Sequence, residues 1–495
     1  MTQTTGSPPV MRGLRRNSIG VGALVTFAMG GIACLTVAAG VMPTAYAVTG
    51  VTAIPIAYVA VAVVLMVFSV GYVAMAREIA NPGAFYAFIS RGLHPVAGVG
   101  AAAMAVVAYM FLQVALYGAF GPGLAAYAAN TFGVRAAWWV WALAAWAVVA
   151  VLGVLRVDIN GVVLSVFLIG EVAVTVATAI QGLRHPDQGH LSLVTLSPSR
   201  LFSAGVGSAF VICTLSMVGF ESPPVFIREA RNNRRTIATA TYLTLGGIAV
   251  VYALASWAMA AHYGARHISQ VANSLGPDTL FGMAGGWLAE AGQVLYLTSL
   301  FAAMMAFHNY VIRYMYALGL EGVAPRVFER TNAQGAPWVA SLVQSTVGLG
   351  TIGLFAVTGW DPMTKLFFWL GTTGGFGVLL LALLTSVAVI GYFLRTRSQL
   401  DIGRHLVAPA AAAVALGLMA WYGWRSFATL LGVPPGHPAA RWLPLIFLVA
   451  FLLGVPRERN LRVKAPRVHR RIGLGPDALL NDTMGLAVAG AEVPA

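Results

Sequence analysis

The sequence predicts an all-α integral membrane protein with about twelve transmembrane helices. Only 9% of the 495 residues are charged and the mean hydropathy is +0.79, whereas about 25% of the residues of a soluble globular protein are charged. Residues 17–76 contain no Asp, Glu, Lys or Arg, which is enough for two helical spans of about 20 residues each. Such runs are continuously apolar and do not alternate with a period of two, so they indicate helices rather than barrel strands.

Further charge-free runs define the later spans in chain order, and two of these runs are interrupted by one acidic residue, Glu171 in span 5 and Glu290 in span 8. Spans 1 to 12 are predicted near residues 19–48, 52–76, 95–125, 137–155, 159–181, 203–226, 237–262, 287–320, 338–358, 364–393, 405–424 and 440–456.

The segment before span 1 contains Arg12, Arg15 and Arg16, as a secretory signal peptide would. The apolar run that follows is much longer than the 7–15 residues of a signal-peptide core. We therefore expect residues 1–16 to be retained as a flexible N-terminal segment.

The net charge of +14 does not indicate nucleic-acid binding, because the positive charges are distributed as in a membrane protein. Most Lys and Arg residues lie in the N-terminal segment, in the loop "REARNNRR", in "RTR" at 395–397 and in the tail after Arg457. With twelve spans this is the positive-inside pattern, which predicts a multi-pass protein of the cell membrane with both termini in the cytoplasm. The basic tail is also compatible with contact to anionic lipid.

Spans 1 and 6 contain helix-breaking residues. Gly30 and Gly31 lie in mid-span in "FAMGGIA", and span 6 ends in "SMVGFESPP", which contains Gly219, Pro223 and Pro224. Spans five apart are the first members of two five-helix repeats, and inverted repeats with matching broken helices are typical of secondary transporters. Glycines that serve only close helix packing are the alternative interpretation.

A broken helix leaves backbone N–H and C=O groups that lipid cannot satisfy, so such breaks line cavities. The N-terminus of a half-helix attracts a carboxylate, and unwound carbonyls attract an ammonium group or a cation. Two facing breaks therefore form a plausible clamp for the ammonium and carboxylate groups of an amino acid. Glu221 is expected in the polar zone of the span 6 break.

Three motifs resemble the amino acid–polyamine–organocation (APC) superfamily of transporters: "GFES" with "EARNNRRTI", "ANPGAFYAFISRGLHPVAG" at 80–98, and "RYMYALGLEGVAPRVFERTNAQGAP" at 313–337. The resemblance implies a 5+5 inverted-repeat APC fold at residues 17–400 with broken helices 1 and 6. Two additional spans at 401–456 and a basic cytoplasmic tail at 457–495 would follow.

The resemblance also implies a substrate site. It assigns the span 1 break to Gly30, Gly31 and Ile32, the span 6 groups to Leu215, Ser216, Val218 and Gly219, and an aromatic gate to Phe307. The implied substrates are amino acids or related amines, moved by alternating access.

Ionisable side chains inside membrane spans are costly and commonly functional. Glu221 and Glu171 are the candidate proton carriers, although Glu171 could instead be a structural hydrogen-bonding group. His308 could line the cavity and respond to pH, or could make a structural hydrogen bond. Glu221 is the preferred carrier because its surroundings would change as the broken helix opens and closes.

Other functions remain as alternatives. An amino acid or amine exchanger is one, and a sodium symporter is another, in which Thr298 and Ser299 would supply hydroxyl groups to the cation. A channel is a remote alternative, because it would not need breaks that bind a substrate. A membrane-embedded enzyme is also remote, since no hydrolase, metalloprotease or nucleotide-binding motif occurs. The sequence predicts neither a cofactor nor a metal centre; Cys34 and Cys213 are expected to be packing residues.

Overall fold

The computed structural model describes residues 20–79, 81, 83–155, 161–223, 233–333, 335–396 and 401–475. Within these ranges the regular structure is helical throughout, without a strand. Eleven of the described helices are long and apolar enough to cross a membrane, and a shorter apolar helix, Val206–Leu215, occupies the place of predicted span 6. The predicted all-α membrane class is therefore confirmed.

The spans occur in the predicted order and near the predicted residues. Spans 1 to 12 comprise Val21–Thr49, Ile54–Glu78, Pro95–Phe132, Trp138–Leu155, Gly161–Arg184, Val206–Leu215, Asn233–Tyr263, Trp287–Leu320, Trp338–Thr358, Pro362–Thr396, Gly403–Arg425 and Pro438–Lys464. Short helices, among them Ala84–Gly92, connect some of these spans.

Two spans end later than the spans predicted from the sequence. Span 3 continues to Phe132 rather than residue 125, and span 12 continues to Lys464 rather than residue 456. The residues added to span 12, "RERNLRVK", include Arg, Glu, Leu and Lys, which are good helix formers, so the helix continues after its apolar part ends. For span 12, the apolar run thus predicts the apolar part of the helix rather than its full length.

Span 1 is broken at Ala33. The helix Val21–Ile32 ends there, because Ala33 adopts a left-handed conformation with φ 54° and ψ 73°. A π-helix, Thr36–Val41, and an α-helix, Met42–Thr49, complete the span. The expectation that Gly30 and Gly31 form the break is wrong in register, since both residues are still helical.

Span 6 also loses its regular structure where the sequence predicts. The helix Val206–Leu215 is followed by consecutive turns from Ser216 to Glu221. Pro224 and the predicted end of this span at residue 226 lie outside the described residues, as does the loop up to residue 232.

The packing of the spans agrees with two inverted repeats. Spans 2 and 7 pack against each other, and so do spans 3 and 8; these are the equivalent members of the predicted repeats. Span 1 packs against spans 5, 7 and 8. The broken first span of one repeat is thereby surrounded by helices of both repeats.

Four residues far apart in the chain form what we call the tail cluster: Asn81, Tyr86, Glu321 and Gly473. The buried carboxylate of Glu321 accepts hydrogen bonds from Asn81 Nδ2 at 2.9 Å, from the Tyr86 hydroxyl at 2.7 Å and from the Gly473 N–H at 2.8 Å. The cluster joins the segment after span 2, the end of span 8 and the segment after span 12.

Candidate functional site

The two breaks lie in direct contact. Gly219 has a φ of +117°, and a Cβ atom added there would lie 3.1 Å from the backbone nitrogen of Ile32 and 3.2 Å from the carbonyl carbon of Gly31. Both the conformation and the space favour glycine, which lacks a Cβ. The backbone of span 6 therefore packs on the backbone of span 1 just before Ala33.

Glu171 of span 5 lies at the break in span 1. Its Oε2 atom accepts a hydrogen bond from the Leu35 N–H at 3.1 Å, and the residue is only 5% exposed. Leu35 directly precedes the second half of the span, where helical N–H groups have no partner within the helix. A carboxylate at such an N-terminus satisfies one of these donors and opposes the positive end of the helix dipole.

A chain of hydroxyl groups also leads to Glu171. The Thr36 hydroxyl donates to Ser299 Oγ at 3.0 Å, and the Ser299 hydroxyl donates to Glu171 Oε2 at 2.9 Å. The Thr36 N–H donates to the same Ser299 oxygen at 3.2 Å. Spans 1, 5 and 8 are thus joined by one buried polar network. Thr298, by contrast, donates to the carbonyl of Leu295 in its own helix.

Glu221 lies at the other break in an equivalent way. Its Oε2 atom accepts a hydrogen bond from the Gly219 N–H at 2.8 Å, and its Oε1 atom accepts one from the Tyr109 hydroxyl at 2.6 Å. The Tyr72 hydroxyl donates to its backbone carbonyl at 3.2 Å. Each break thus has its own buried glutamate, and each glutamate accepts a hydrogen bond from a backbone N–H group at the break.

A small cavity of about 50 Å³ lies beside the two breaks. It is bounded by spans 1, 3, 6, 8 and 10, and its lining residues are Ile32, Ala33, Thr36, Val37, Val41, Leu112, Ala115, Leu116, Leu215, Val218, Ala303, Phe307, Phe367, Phe368 and Gly371. Both π-helical stretches of these spans, Thr36–Val41 and Pro362–Leu370, contribute to the wall. Irregular helical turns of this kind are common at functional sites.

The sequence-predicted site residues divide into two groups. Ile32, Leu215, Val218 and Phe307 line the cavity. The structure places the other four, Gly30, Gly31, Ser216 and Gly219, outside the lining. Gly219 supports the contact between the breaks, while a Cβ atom on Gly31 would lie 2.6 Å from the Tyr310 hydroxyl. Ser216 donates to the Ile212 carbonyl of its own helix.

His308 points away from the cavity. It is buried, and its Nε2 atom lies 3.0 Å from the hydroxyl of Ser341 in span 9. Neither His308 nor Ser341 is a lining residue. Of the two roles that the sequence leaves open for His308, the geometry matches the structural hydrogen bond.

Sequence reasoning does not find the walls contributed by spans 3 and 10, nor Tyr109 as the partner of Glu221. The lining residues that these spans contribute have no polar side chain, so polarity does not distinguish the cavity-facing side from the lipid-facing side. The one local signal for Tyr109 is that it lies one turn before the polar pair Gln113 and Tyr117 on the same helix. Gln113 donates to the Tyr117 hydroxyl and accepts from the Gln344 amide, and none of these three residues lines the cavity.

Comparison with known proteins agrees with this architecture. The amino acid permease family profile matches residues 19–455. An uncharacterized amino-acid permease of Schizosaccharomyces pombe is 28% identical to the chain over 142 residues. That alignment covers 28% of this chain and 26% of the yeast protein, so the match spans about a quarter of the relative's length.

Proposed function

The chain belongs to the amino acid permease family, and from this premise we propose that it carries amino acids or related amines across the cell membrane by alternating access, coupled to protons. The observation that carries the proposal is the contact of two broken spans beside a cavity, with a buried glutamate at each break. Residues 17–400 would form the transport core and residues 401–456 two additional spans. The N-terminal segment and the basic tail after residue 457 would lie in the cytoplasm, with the tail close to anionic lipid.

The backbone groups at the two breaks are the proposed hydrogen-bonding partners of the substrate. Ile32 and Ala33 of span 1 and Leu215 and Val218 of span 6 border the cavity at points where the regular helical hydrogen bonding ends. In an APC-type site, unwound carbonyls accept from the substrate ammonium and free N–H groups donate to its carboxylate. The aromatic ring of Phe307 would close the site from span 8.

The two glutamates offer a route for coupling. Glu171 and Glu221 accept hydrogen bonds from backbone groups that would change position if the broken helices moved. Protonation of a buried carboxylate removes its charge and turns one of its oxygens into a donor, so it would alter the bond to the Leu35 or Gly219 N–H. Glu171 is in addition connected to the cavity wall through Ser299 and Thr36.

The test is transport by the purified protein in liposomes that carry a pH gradient. Glu171→Gln and Glu221→Gln each remove a titratable group while they preserve its size. If the glutamate carries the coupled proton, the variant should lose pH-driven accumulation of a radiolabelled amino acid and keep exchange of internal for external substrate, which moves no net proton. Glu290→Gln, an exposed acidic residue on span 8, is the matched control.

If both variants accumulate substrate with the wild-type pH dependence, proton coupling through these residues is wrong. Exchange without a pH gradient would then indicate an exchanger, and accumulation driven by a sodium gradient would indicate a sodium symporter. Failure of the wild-type protein to move any amino acid or amine would contradict the proposed function itself.

A further inference from the structure

On the basis of the proposed amino acid transport, we infer that this chain selects α-amino acids with a small, uncharged and apolar side chain. The observation is the chemical uniformity of the cavity wall. Among its lining residues, Thr36 is the one with a polar side chain, and none is charged. The remaining lining residues are aliphatic or aromatic, apart from Gly371.

The Thr36 hydroxyl does not make the cavity suitable for a polar substrate side chain. It already donates a hydrogen bond to Ser299 Oγ, and the Ser299 hydroxyl donates a hydrogen bond to Glu171. A substrate side chain in the cavity would therefore meet a hydroxyl oxygen that can accept hydrogen bonds but has no free proton to donate. A polar substrate side chain that must donate and accept several hydrogen bonds would leave some of them unmade, which is costly in a buried site.

A charged side chain is excluded more strongly. The carboxylates of Glu171 and Glu221 are already engaged at the breaks and are not part of the lining. An ion that enters the cavity would lose its hydration without gaining a direct counter-charge. Since the effective penalty is several kcal/mol per ion, lysine and glutamate should bind about 100-fold or more weakly than alanine.

The size of the cavity sets the second limit. On the scale used for such cavities about 10–15 Å³ accommodates one water molecule, so 50 Å³ corresponds to a handful of heavy atoms. Glycine and alanine have five and six heavy atoms, and valine has two more than alanine. Larger side chains must displace the wall, where Leu116 of span 3 and Phe367 of span 10 are both buried.

Leu116 and Ala115, neighbours on span 3, are accordingly the specificity-determining residues to vary. Leu116→Ala removes wall volume and should raise the affinity for L-leucine relative to L-alanine by about 10-fold or more, the effect of a few methylene groups in an apolar pocket. Ala115→Val adds wall volume and should lower the affinity for L-valine more than that for glycine. Leu354→Ala, on a side chain that is 51% exposed in span 9, is the matched control and should change neither ratio.

The experiment measures competition with radiolabelled L-alanine for the purified full-length protein by glycine, L-valine, L-leucine, L-phenylalanine, L-lysine and L-glutamate. Wild-type protein should rank the small apolar competitors first and the two charged ones last. Competition by L-lysine or L-glutamate as strong as that by L-valine would overturn the inference while the proposed function stands. If no amino acid binds or is transported, the proposed function fails together with the inference. The reciprocal Ala115→Val variant provides a second result if Leu116→Ala does not fold.

Discussion

At the scale of single residues, both breaks could be predicted in kind, but the register of the break in span 1 could not. The glycines of "FAMGGIA" and "SMVGFESPP" indicate two interrupted spans, and both are found. The break in span 1 nevertheless lies at Ala33, which has no sequence signal for a left-handed conformation, a state that normally costs about 1–2 kcal/mol in an L-residue. Tertiary contacts fix it: Gly219 packs on the preceding backbone, and Glu171 accepts from the N–H of Leu35.

The glycines of the two breaks should therefore differ in their tolerance of alanine. Gly219→Ala should reduce transport strongly, because the backbone of Ile32 and the positive φ both oppose the new methyl group. Gly31→Ala should reduce transport less, because its methyl group would meet the Tyr310 hydroxyl, the end of a side chain that can shift. The Gly30→Ala variant should transport substrate at the normal rate, since no atom lies within 4 Å of its added Cβ. Uptake in proteoliposomes, with the amount of folded protein measured by size-exclusion chromatography, provides the comparison; equal uptake by all three variants would contradict the importance of the contact.

At the scale of elements, the charge-free runs predict the spans well because lipid imposes one requirement, a sufficient apolar length. The same requirement hides which side of a helix faces the cavity. Spans 3 and 10 contribute Leu112, Leu116, Phe367 and Phe368 to the wall, yet these residues do not differ in type from those that face lipid. Membrane helices gain no hydrophobic energy by burying one side, so composition alone does not mark that side.

The hydrogen bonds of the tail cluster are expected to stabilise the packing of the elements that they join. Glu321→Ala would leave the Asn81 amide, the Tyr86 hydroxyl and the Gly473 N–H without their shared acceptor in a buried place. Unsatisfied buried donors cost about 1–3 kcal/mol each, so the free energy of unfolding should fall by at least about 1–3 kcal/mol. Thermal unfolding in detergent measures the change, with Glu329→Ala, an exposed residue beyond the same span, as the control. A midpoint equal to that of the wild-type protein would show that the cluster does not contribute to stability.

At the scale of the whole molecule, the sequence predicts architecture and orientation by different means. The number and order of the spans follow from hydropathy, and the structure agrees with them. Orientation follows from the distribution of Lys and Arg, because this distribution determines how the chain is inserted into a membrane. The arrangement of helices is the same in either orientation, so the fold does not decide between the two.

Labelling from one side of the membrane tests the orientation. A cysteine introduced at Gln188, in the exposed connection after span 5, should react with a membrane-impermeant maleimide added outside intact cells. One introduced at Arg330, in the exposed connection after span 8, should react only after the membrane is opened. Cys34 and Cys213 are both buried, so background labelling should be low. The reverse pattern would overturn the orientation that we expect.

The tail cluster also has a consequence for how the protein is made. Its members come from positions 81, 86, 321 and 473, so the ribosome releases them at very different times. Asn81 and Tyr86 are synthesised before Glu321, and the N–H of Gly473 is synthesised after all twelve spans. A nascent chain that stops after span 12 would hold every membrane helix and still lack this last bond. The segment after span 12 therefore adds its hydrogen bond to Glu321 only after all twelve spans have been synthesised.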